Sequence, residues 1–421
     1  MANKVEQTIH DLFISHSELR HVISDCYQRI VYMTSPKLKF EGNIHRITPQ
    51  DGKEYFFGYY DKSPWDAQER FMLCLRVDNA KTTASDKEAE IVLIDTQKGN
   101  SCEIITVTRT WNSQQGSMLQ WLGPKFDSKI LYNDFRDGQY ISIILNINTR
   151  QETVLPVPVY TVSNDGSFAL TLDFSRLHRL RPGYGYVNLP DKTKGMLCPN
   201  EPCIWKVELN EKSVIPILKY TDFATFEPKP SMAGAEHKVN HLMLSPSGSR
   251  FMVLHRWFQK GMKYSRLVTC NTDGTEMFNL SDDDFVSHCT WKNEDYILSF
   301  LNRKESGQAY YLLRDKTKEA KMFWQSLQNT DGHPSYSPDG SMIVTDTYPD
   351  RRRVCSLYCN TEDTIQRIAR VFSPFAYKGD YRCDLHPRWN RTGNKICFDA
   401  CFEGKRGLYT IKREDRVNEA K

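Results

Sequence analysis

Four histidines occupy the same place in four successive copies of one sequence pattern. They begin the segments HLMLSPSG, HCTWKNED, HPSYSPDG and HPRWNRTG, at His241, His288, His333 and His386. In each copy a few mostly apolar residues lead to a tight polar turn, and a short apolar run such as FMVL or ICFD follows. The copies recur at roughly 50 residues, a period typical of propeller blades. Equivalent positions of successive blades surround one axis, so the pattern predicts that the four imidazoles share a pocket.

Three earlier copies carry the same turn and place Tyr59, Met118 and Val159 at the position of the repeated histidine. Seven copies in total predict an all-β fold, a seven-bladed β-propeller. The C-terminal segment GLYTIKRE can supply only the third strand of the last blade. We therefore expect residues 43–50 to add its fourth strand and close the ring, because closure removes the exposed edges of an open sheet.

The chain departs from the blade pattern at two places. Residues 1–41 carry apolar positions at helical spacing between Val5 and Val31, which predicts a short N-terminal helical extension on the outside or bottom of the ring. Residues 42–421 form the predicted propeller. Within its third blade, residues 174–202 are rich in Arg, Tyr, Gly and Pro and form an insertion. Long ordered insertions in compact folds are usually functional.

Composition limits the partners and the compartment of the protein. The 421 residues are 39% hydrophobic and carry a formal charge of +4, with lysines and arginines dispersed along the chain. This argues for one globular unit and against nucleic acid as a partner. The twelve cysteines lack close CxxC spacing, and no apolar run suits a signal peptide or a membrane span. We expect a cytoplasmic protein that does not bind membranes; its oligomeric state is left open.

Polar residues gather at one predicted rim. In a propeller the first position of each inner strand and the end of each second strand lie at the same face. The second-strand ends carry Asn133, Asp134, Asp173, His255, Arg256, Asn302, Asp346 and Asp399. The insertion would bring Arg176, His178, Arg181, Tyr184 and Tyr186 over the same mouth.

The shared register of the histidines favours a metal site. Neutral imidazoles from neighbouring blades can ligate one divalent cation, and imidazole suits manganese, iron, nickel or zinc. We expect His288, His333 and His386 to converge on such an ion, with His241 as a candidate fourth ligand. The alternative is that these side chains only hydrogen-bond between blades and fill the channel.

Common catalytic motifs are absent: the sequence has no GxSxG, no GxxxxGK[ST], no HExxH and no GxGxxG after a strand. Two other classes of function remain open beside a metal-dependent enzyme. One is a non-catalytic propeller that binds an acidic polysaccharide or a protein partner. The other is a glycoside hydrolase that uses two of the rim carboxylates as an acid pair. The candidates for that pair are Asp134, Asp346, Asp384 and Asp399.

Several of these segments resemble a known family. HLMLSPSGSRFMVLHRWFQKG, SHCTW and DGHPSYSPDGSMIVTD are similar to the corresponding blades of the oligogalacturonate lyases. The resemblance is clear over residues 237–350 and elsewhere extends only to the blade pattern. It implies a cytosolic seven-bladed propeller that cleaves short uronate chains by metal-assisted β-elimination. The expected substrate is an acidic oligosaccharide.

The resemblance also implies roles for individual residues. His255 in HRW matches the family's proton-abstracting base, and His288 in SHCTW matches a metal ligand. His333 falls in the segment that supplies the remaining ligands of the family, which include a glutamine and a second histidine. This chain reads QNTDGHPS there, with Gln328 and only one histidine. Gln328 could complete the set, as could His386 or His241 from adjacent blades, and manganese is the preferred metal.

The remaining assignments concern the substrate. Arginine side chains can bind carboxylates bidentately, which would give a preference for anionic sugars. Tyr59 could protonate the departing oxygen, with Arg256 assisting the base by holding charge. The residues assigned to substrate binding are Arg176, Arg181, Tyr184, His241 and Arg382.

Overall fold

Seven antiparallel sheets arranged around a central channel make up the described structure, six with four strands and one with five. The computed structural model describes residues 17–81 and 87–413. Each sheet is one blade, and the predicted seven-bladed β-propeller is confirmed. No helix in these described ranges is long and apolar enough to cross a membrane.

The strands are numbered along the chain. They are β1 (Phe40–Glu41), β2 (His45–Arg46), β3 (Glu54–Phe56), β4 (Phe71–Val77), β5 (Ala89–Asp95), β6 (Ser101–Thr108), β7 (Gln120–Trp121), β8 (Lys129–Arg136), β9 (Gln139–Asn146), β10 (Glu152–Leu155), β11 (Thr161–Val162), β12 (Phe168–Leu172), β13 (Pro202–Glu208), β14 (Val214–Lys219), β15 (Glu236–Leu244), β16 (Arg250–Gln259), β17 (Met262–Asn271), β18 (Phe278–Ser281), β19 (Val286–Trp291), β20 (Tyr296–Arg303), β21 (Gly307–Arg314), β22 (Ala320–Phe323), β23 (Ser335–Tyr336), β24 (Ile343–Asp346), β25 (Val354–Asn360), β26 (Arg367–Phe372), β27 (Arg388–Trp389), β28 (Lys395–Ala400) and β29 (Gly407–Lys412).

Blades follow one another along the chain, each built from the channel outward. Blade 1 comprises β3 to β6, and each later blade takes the next four strands up to β26 in blade 6. Blade 7 holds β27, β28 and β29, and β2 adds its fourth strand by pairing His45 with Thr410 and Arg46 with Tyr409. The closing strand therefore falls inside the segment 43–50 that the sequence indicates.

Blade 6 has an additional edge strand that the sequence pattern did not suggest. β1 pairs antiparallel with β26, with Phe40 opposite Val371. A strand of two residues is too short to show any periodicity, so it cannot be recognised from the sequence. It covers the outer edge of blade 6, which would otherwise expose unpaired backbone groups.

Second strands are apolar on both faces because every blade packs between two others. In β4 the sequence FMLCLRV is buried at nearly every position, and β16 is buried along most of its length. A sheet covered on both faces does not show the polar alternation of a half-exposed strand. The sequence of a second strand therefore does not show which of its side chains face the channel.

Among the residues that the structure describes, three α-helices lie outside the sheets: α1 (Ser17–Thr34), α2 (Phe174–Leu180) and α3 (Tyr220–Thr225). Short 3₁₀ turns occur at Pro230–Met232, Gln325–Leu327 and Gly379–Tyr381. α1 confirms the expected N-terminal helix and packs on the outside of blade 6, where the Tyr32 and Phe372 rings stack with centroids 5.0 Å apart. The part of the predicted helix at residues 4–16 lies outside the described residues.

The insertion starts with α2 and then runs without regular structure to β13. Asp173 caps α2, because its carboxylate accepts hydrogen bonds from the backbone N–H groups of Ser175 and Arg176 at 3.0 Å each. Gly185 allows the chain to return against this helix: its φ is +69°, and a Cβ there would lie 2.3 Å from the Phe174 carbonyl oxygen. The segment that follows α2 is thereby held over the mouth of the channel.

Candidate functional site

A cavity of about 320 Å³ opens at the face where the inner strands begin. Blades 4 and 5 form its wall, and residues 180–182 and Tyr184 of the insertion border it. Tyr59, at the repeated position of blade 1, and Tyr348 also line it. The polar side chains of the lining include those of Lys238, His241, Arg256, Lys263, His288 and Asp331.

Three of the four repeated histidines lie side by side at the base of this cavity. The ring centroids of His288 and His333 are 4.0 Å apart, and those of His333 and His386 are 4.4 Å apart. His288 lines the cavity itself, whereas His333 and His386 are almost completely buried beside it. Residues from blades 5, 6 and 7 therefore meet, as ring closure predicts.

Two of these imidazoles each offer a free nitrogen. Nδ1 of His333 lies 2.8 Å from a carboxylate oxygen of Asp346, and Nδ1 of His386 lies 2.9 Å from the Gly58 carbonyl oxygen. Both partners are acceptors, so each Nδ1 carries a proton, and in the neutral ring each Nε2 keeps its lone pair. Among the described residues neither buried Nε2 has a hydrogen-bond partner. A metal ion would account for this pair of otherwise unexplained buried acceptors.

Asp384 completes a set of possible ligands that the sequence reasoning missed. One ligand atom from each of His333, Asp384 and His386 lies within 4.8 Å of the others. Arg382 holds the carboxylate bidentately, with N–O distances of 2.5 and 2.7 Å. Burial alone would raise the pKa of Asp384, but the ion pair with Arg382 outweighs it and lowers the pKa. The only sequence signal was its place two residues before His386.

His288 is oriented by a carboxylate in the same manner. Its Nδ1 lies 3.1 Å from Asp331, whose second oxygen accepts a hydrogen bond from Ser287 Oγ at 2.6 Å. Its Nε2 faces the Tyr348 hydroxyl at 3.5 Å. Burial lowers the pKa of His288 and so favours the neutral ring that metal binding requires. It is the one member of the trio that is in contact with the cavity.

His241, the fourth repeated histidine, is bound by tyrosines instead. Its Nε2 lies 3.1 Å from the Tyr60 hydroxyl and its Nδ1 lies 3.4 Å from the Tyr59 hydroxyl. Its ring centroid is 6.5 Å from that of His288. Because both nitrogens have partners, His241 is not a candidate ligand; it is a residue of the cavity wall.

Local backbone irregularities turn these side chains toward the channel. The pairing of β15 with β16 shifts register between Asn240 and Met243, and that of β19 with β20 shifts between Val286 and Cys289. Such bulges re-aim a side chain. His241 and His386 also adopt left-handed backbone conformations, with φ of 61° and 44°. The repeated position is thus an irregularity within β15 and β19 and lies just before β23 and β27, so in no blade is it part of a regular ladder.

The expectation that His255 faces the cavity is wrong. Arg266 Nε donates to its Nδ1 at 3.1 Å, and its Nε2 lies 2.8 Å from Nδ1 of His237. The ring is fully buried beside Phe223 and Trp257, on the opposite side of β16 from Arg256. Adjacent residues of a strand point to opposite faces, so only Arg256 can border the cavity. With both nitrogens bound, His255 has no lone pair for a substrate proton.

Arg176 and Gln328 are also placed away from their expected positions. Arg176 is fully buried and donates to the carbonyl oxygen of His237 at 3.0 and 2.8 Å and to Thr193 Oγ1 at 2.8 Å. It anchors the insertion to β15 and does not reach the substrate. Gln328 is exposed beyond the outer strand of blade 5, where it donates to the Ser306 carbonyl oxygen. It is therefore not a metal ligand.

Other residues predicted for substrate binding or for catalysis do border the cavity. Arg181, Tyr184 and Arg256 line it together with Tyr59. Arg382 donates hydrogen bonds to both carboxylate oxygens of Asp384, and its Cζ lies 4.5 Å from the centroid of the Tyr348 ring. We therefore interpret Arg382 as the residue that positions Asp384.

We expect the metal-free protein to lose stability as the pH falls below about 6.5. Burial, followed by the charge of His288, lowers the pKa of His241 to about 3. Between these values the unfolded chain binds a proton that the folded protein excludes, so the free energy of unfolding falls by about 1.4 kcal/mol per pH unit for this histidine. His333, whose pKa is raised through Asp346 although burial opposes it, acts in the opposite direction.

Urea unfolding of the metal-free protein near pH 7 and near pH 5 measures this dependence. The parent should be clearly less stable at the lower pH, and His241→Asn should show a smaller difference. A pH difference as large in His241→Asn as in the parent would contradict a buried, neutral His241.

Two solved structures share this fold over almost their whole length. Oligogalacturonate lyase from Vibrio parahaemolyticus aligns with a TM-score of 0.60 at 13% identity, covering 90% of this chain and 98% of that one. An oligogalacturonate lyase in complex with manganese aligns with a TM-score of 0.63 at 17% identity, covering 90% and 97%. No protein-family model and no curated protein matches the sequence. At these identities the likeness shows the fold, and it confirms the resemblance seen in the blade motifs.

Proposed function

We propose that this protein is a lyase that cleaves uronate-containing oligosaccharides by metal-assisted β-elimination. The observation that supports it most directly is the pair of buried, unpartnered Nε2 atoms of His333 and His386 beside Asp384. These ligands lie next to a cavity whose wall carries several cationic side chains. A ligand set together with a cationic wall suits a substrate that bears carboxylates.

The residues present fit a divalent transition metal. Two imidazoles and one carboxylate, with His288 adjacent, form a mixed nitrogen and oxygen set that manganese, iron or zinc accepts. The manganese complex of a structural neighbour supports manganese as the first metal to test. Asp346, Gly58 and Arg382 would hold the ligands in place.

Removal of the C5 proton of a uronate requires stabilisation of the enediolate that develops on its carboxylate. A divalent cation supplies that stabilisation when bound. Tyr59 borders the cavity and carries its proton, because burial raises the pKa of its hydroxyl well above the ordinary value, and we assign it to protonate the departing O4. Arg181 and Arg256 are available to bind further carboxylates of the chain.

The structure gives less support to a glycoside hydrolase. A hydrolase needs one carboxylic acid that retains its proton. The four candidates are each held by a basic side chain: Asp134 by Arg136, Asp346 by His333, Asp384 by Arg382 and Asp399 by Arg388. These contacts occupy the carboxylate oxygens, and the ion pair with Arg382 lowers the pKa of Asp384.

All twelve cysteines are free thiols in the structure, and most are buried. This supports a reducing compartment, and with it the cytoplasm, as the place where the protein works.

The test is a screen of short acidic oligosaccharides with manganese-loaded protein, followed by ultraviolet absorbance. Elimination creates a C4–C5 double bond conjugated to the carboxylate, so an absorbing product should accumulate from at least one uronate oligomer. Neutral oligosaccharides of the same length are the control. Binding without any new absorbance would favour the non-catalytic alternative, and new reducing ends without absorbance would favour hydrolysis.

A further inference from the structure

The wall of the cavity on blade 4 carries an unusual group of cations. Lys238 on β15 lies directly opposite Arg256 on β16, and Lys263 follows on β17. The insertion adds Arg181 from above. Within the described residues, no carboxylate forms an ion pair with Lys238, Arg256 or Lys263, whereas Arg181 lies 3.7 Å from Asp380. Like charges placed opposite each other destabilise a sheet, so this arrangement calls for a functional explanation.

Lys238 is the most enclosed member of the group. The residue is 2% exposed, and among the described residues its Nζ has one hydrogen-bond acceptor, the Leu180 carbonyl oxygen at 3.4 Å. The Phe258 ring centroid lies 5.6 Å from the same nitrogen. An ammonium group has three donors, so a charged Lys238 would leave most of them unsatisfied in a buried position. A neutral amine avoids that cost and presents a lone pair to the cavity.

The positive charges around Lys238 also favour its neutral form. Burial, and then the positive charges of Arg256, Arg181 and Lys263, lowers the pKa of Lys238 well below its ordinary value. Glu236, two residues earlier on β15, does not offset this because Arg179 binds it at 2.6 Å. Asp331, at the blade 5 side of the cavity, is already bound to Ser287 and His288.

We infer that Lys238 is the base of the proposed elimination, with its neutral Nζ removing the C5 proton of the uronate. This inference rests on the proposed function and fills the role that His255 cannot perform. The other groups of the wall are less suitable. The lone pair of His241 faces the Tyr59 hydroxyl, the tyrosines keep their protons, and arginine remains protonated in proteins. Lys263 is exposed to solvent.

The reaction balances without a further reagent. The C5–H bond breaks and its proton moves to Lys238 Nζ, while the electron pair forms the C4–C5 double bond. The C4–O4 bond breaks, and O4 leaves with the proton of the Tyr59 hydroxyl. Solvent then carries the proton from the Lys238 ammonium to the Tyr59 phenolate, so no oxidant or reductant is involved.

Two substitutions of Lys238 distinguish a general base from a positive charge that only binds the substrate. Lys238→Met keeps the apolar stem against Phe258 but removes the amine, and Lys238→Arg keeps the charge but cannot lose a proton near neutral pH. Both should lower kcat for formation of the unsaturated product by roughly 10²- to 10⁴-fold. Lys125→Arg, in an exposed turn at the opposite face, is the matched control. Manganese content and thermal unfolding should be unchanged in both, and Lys238→Arg with parental kcat would overturn the inference.

The pH profile provides a second readout. The acidic limb of kcat/KM should reflect deprotonation of Lys238. Lys263→Met removes one of the positive neighbours, so the Lys238 pKa should rise and the limb should move to higher pH. A limb that stays in place would contradict the assignment.

A labelling experiment distinguishes failure of the inference from failure of the proposed function. Pyridoxal phosphate, an anionic aldehyde, should form an imine with Lys238 near neutral pH, and borohydride reduction followed by peptide mapping should locate the label there. Elimination by the parent without a label at Lys238, or with an active Lys238→Arg, would overturn the base and leave the lyase function standing. A label at Lys238 without elimination from any uronate would remove both the lyase function and the base, leaving a reactive amine.

Discussion

Replacement of His386 with alanine should abolish metal binding and elimination together. His386 Nε2 is buried without a hydrogen-bond partner in the described part of the chain, and it lies with His333 and Asp384 in one group of possible ligands. Loss of a direct ligand should weaken manganese binding by more than the roughly 10- to 100-fold typical of an outer-shell partner. Titration with manganese and the rate of appearance of unsaturated product measure the two effects.

A matched control is His45→Ala, because His45 is an exposed histidine on the outermost strand of blade 7. It should bind manganese and turn over substrate as the parent does. The metal assignment fails if a folded His386→Ala protein retains parental manganese affinity. If the variant loses the metal but still turns over substrate, then elimination does not require the metal.

Arg176→Met should destabilise the protein by about 3 to 5 kcal/mol, as is typical when one partner is removed from a buried polar network. Its guanidinium binds the backbone oxygens of His237, Met196 and Leu197 and lies 3.8 Å from Asp191. Methionine replaces the stem but leaves those buried acceptors without a donor. The free energy of unfolding in urea measures the loss.

Arg181→Met is the control on the same insertion. Arg181 borders the cavity with a side chain that is 44% exposed, so its replacement should change stability by less than about 0.5 kcal/mol. It should instead raise KM for uronate oligomers. If Arg176→Met is as stable as the parent and raises KM, then Arg176 contacts substrate, and our account of the insertion is wrong.

The fold could be predicted because its signals repeat. The polar turn after each inner strand identifies seven blades, and the missing last strand of blade 7 indicates where the N-terminal segment must pair. The register of His288, His333 and His386 also follows from the repeat, since equivalent positions of adjacent blades meet at the axis. The two-residue strand β1 has no such signal.

The sequence does not indicate which way individual side chains of a buried strand point. His255 and Arg256 were both assigned to one rim, yet successive residues of a strand point to opposite faces. β16 is buried on both sides, so hydrophobic alternation does not show which of the two faces the channel. The cross-strand pairing of Lys238 with Arg256 identifies that face, and it requires the register that only the structure provides.

Residues in irregular segments left the weakest traces. Asp384 lies between a 3₁₀ turn and β27, where no strand period applies. Gln328 was assigned from a resemblance in a segment where this chain departs from the family pattern. His241 shares the repeated register, but both of its ring nitrogens are hydrogen-bonded to Tyr59 and Tyr60. In the sequence these two residues are only an adjacent aromatic pair.

Anomalous diffraction from crystals soaked in manganese tests the central claim most directly. We predict one strong peak within bonding distance, about 2.0 to 2.3 Å, of Nε2 of His333 and of His386, with Asp384 in the same shell. A peak at another place, or none when these side chains are ordered, would contradict the metal site and with it the proposed elimination.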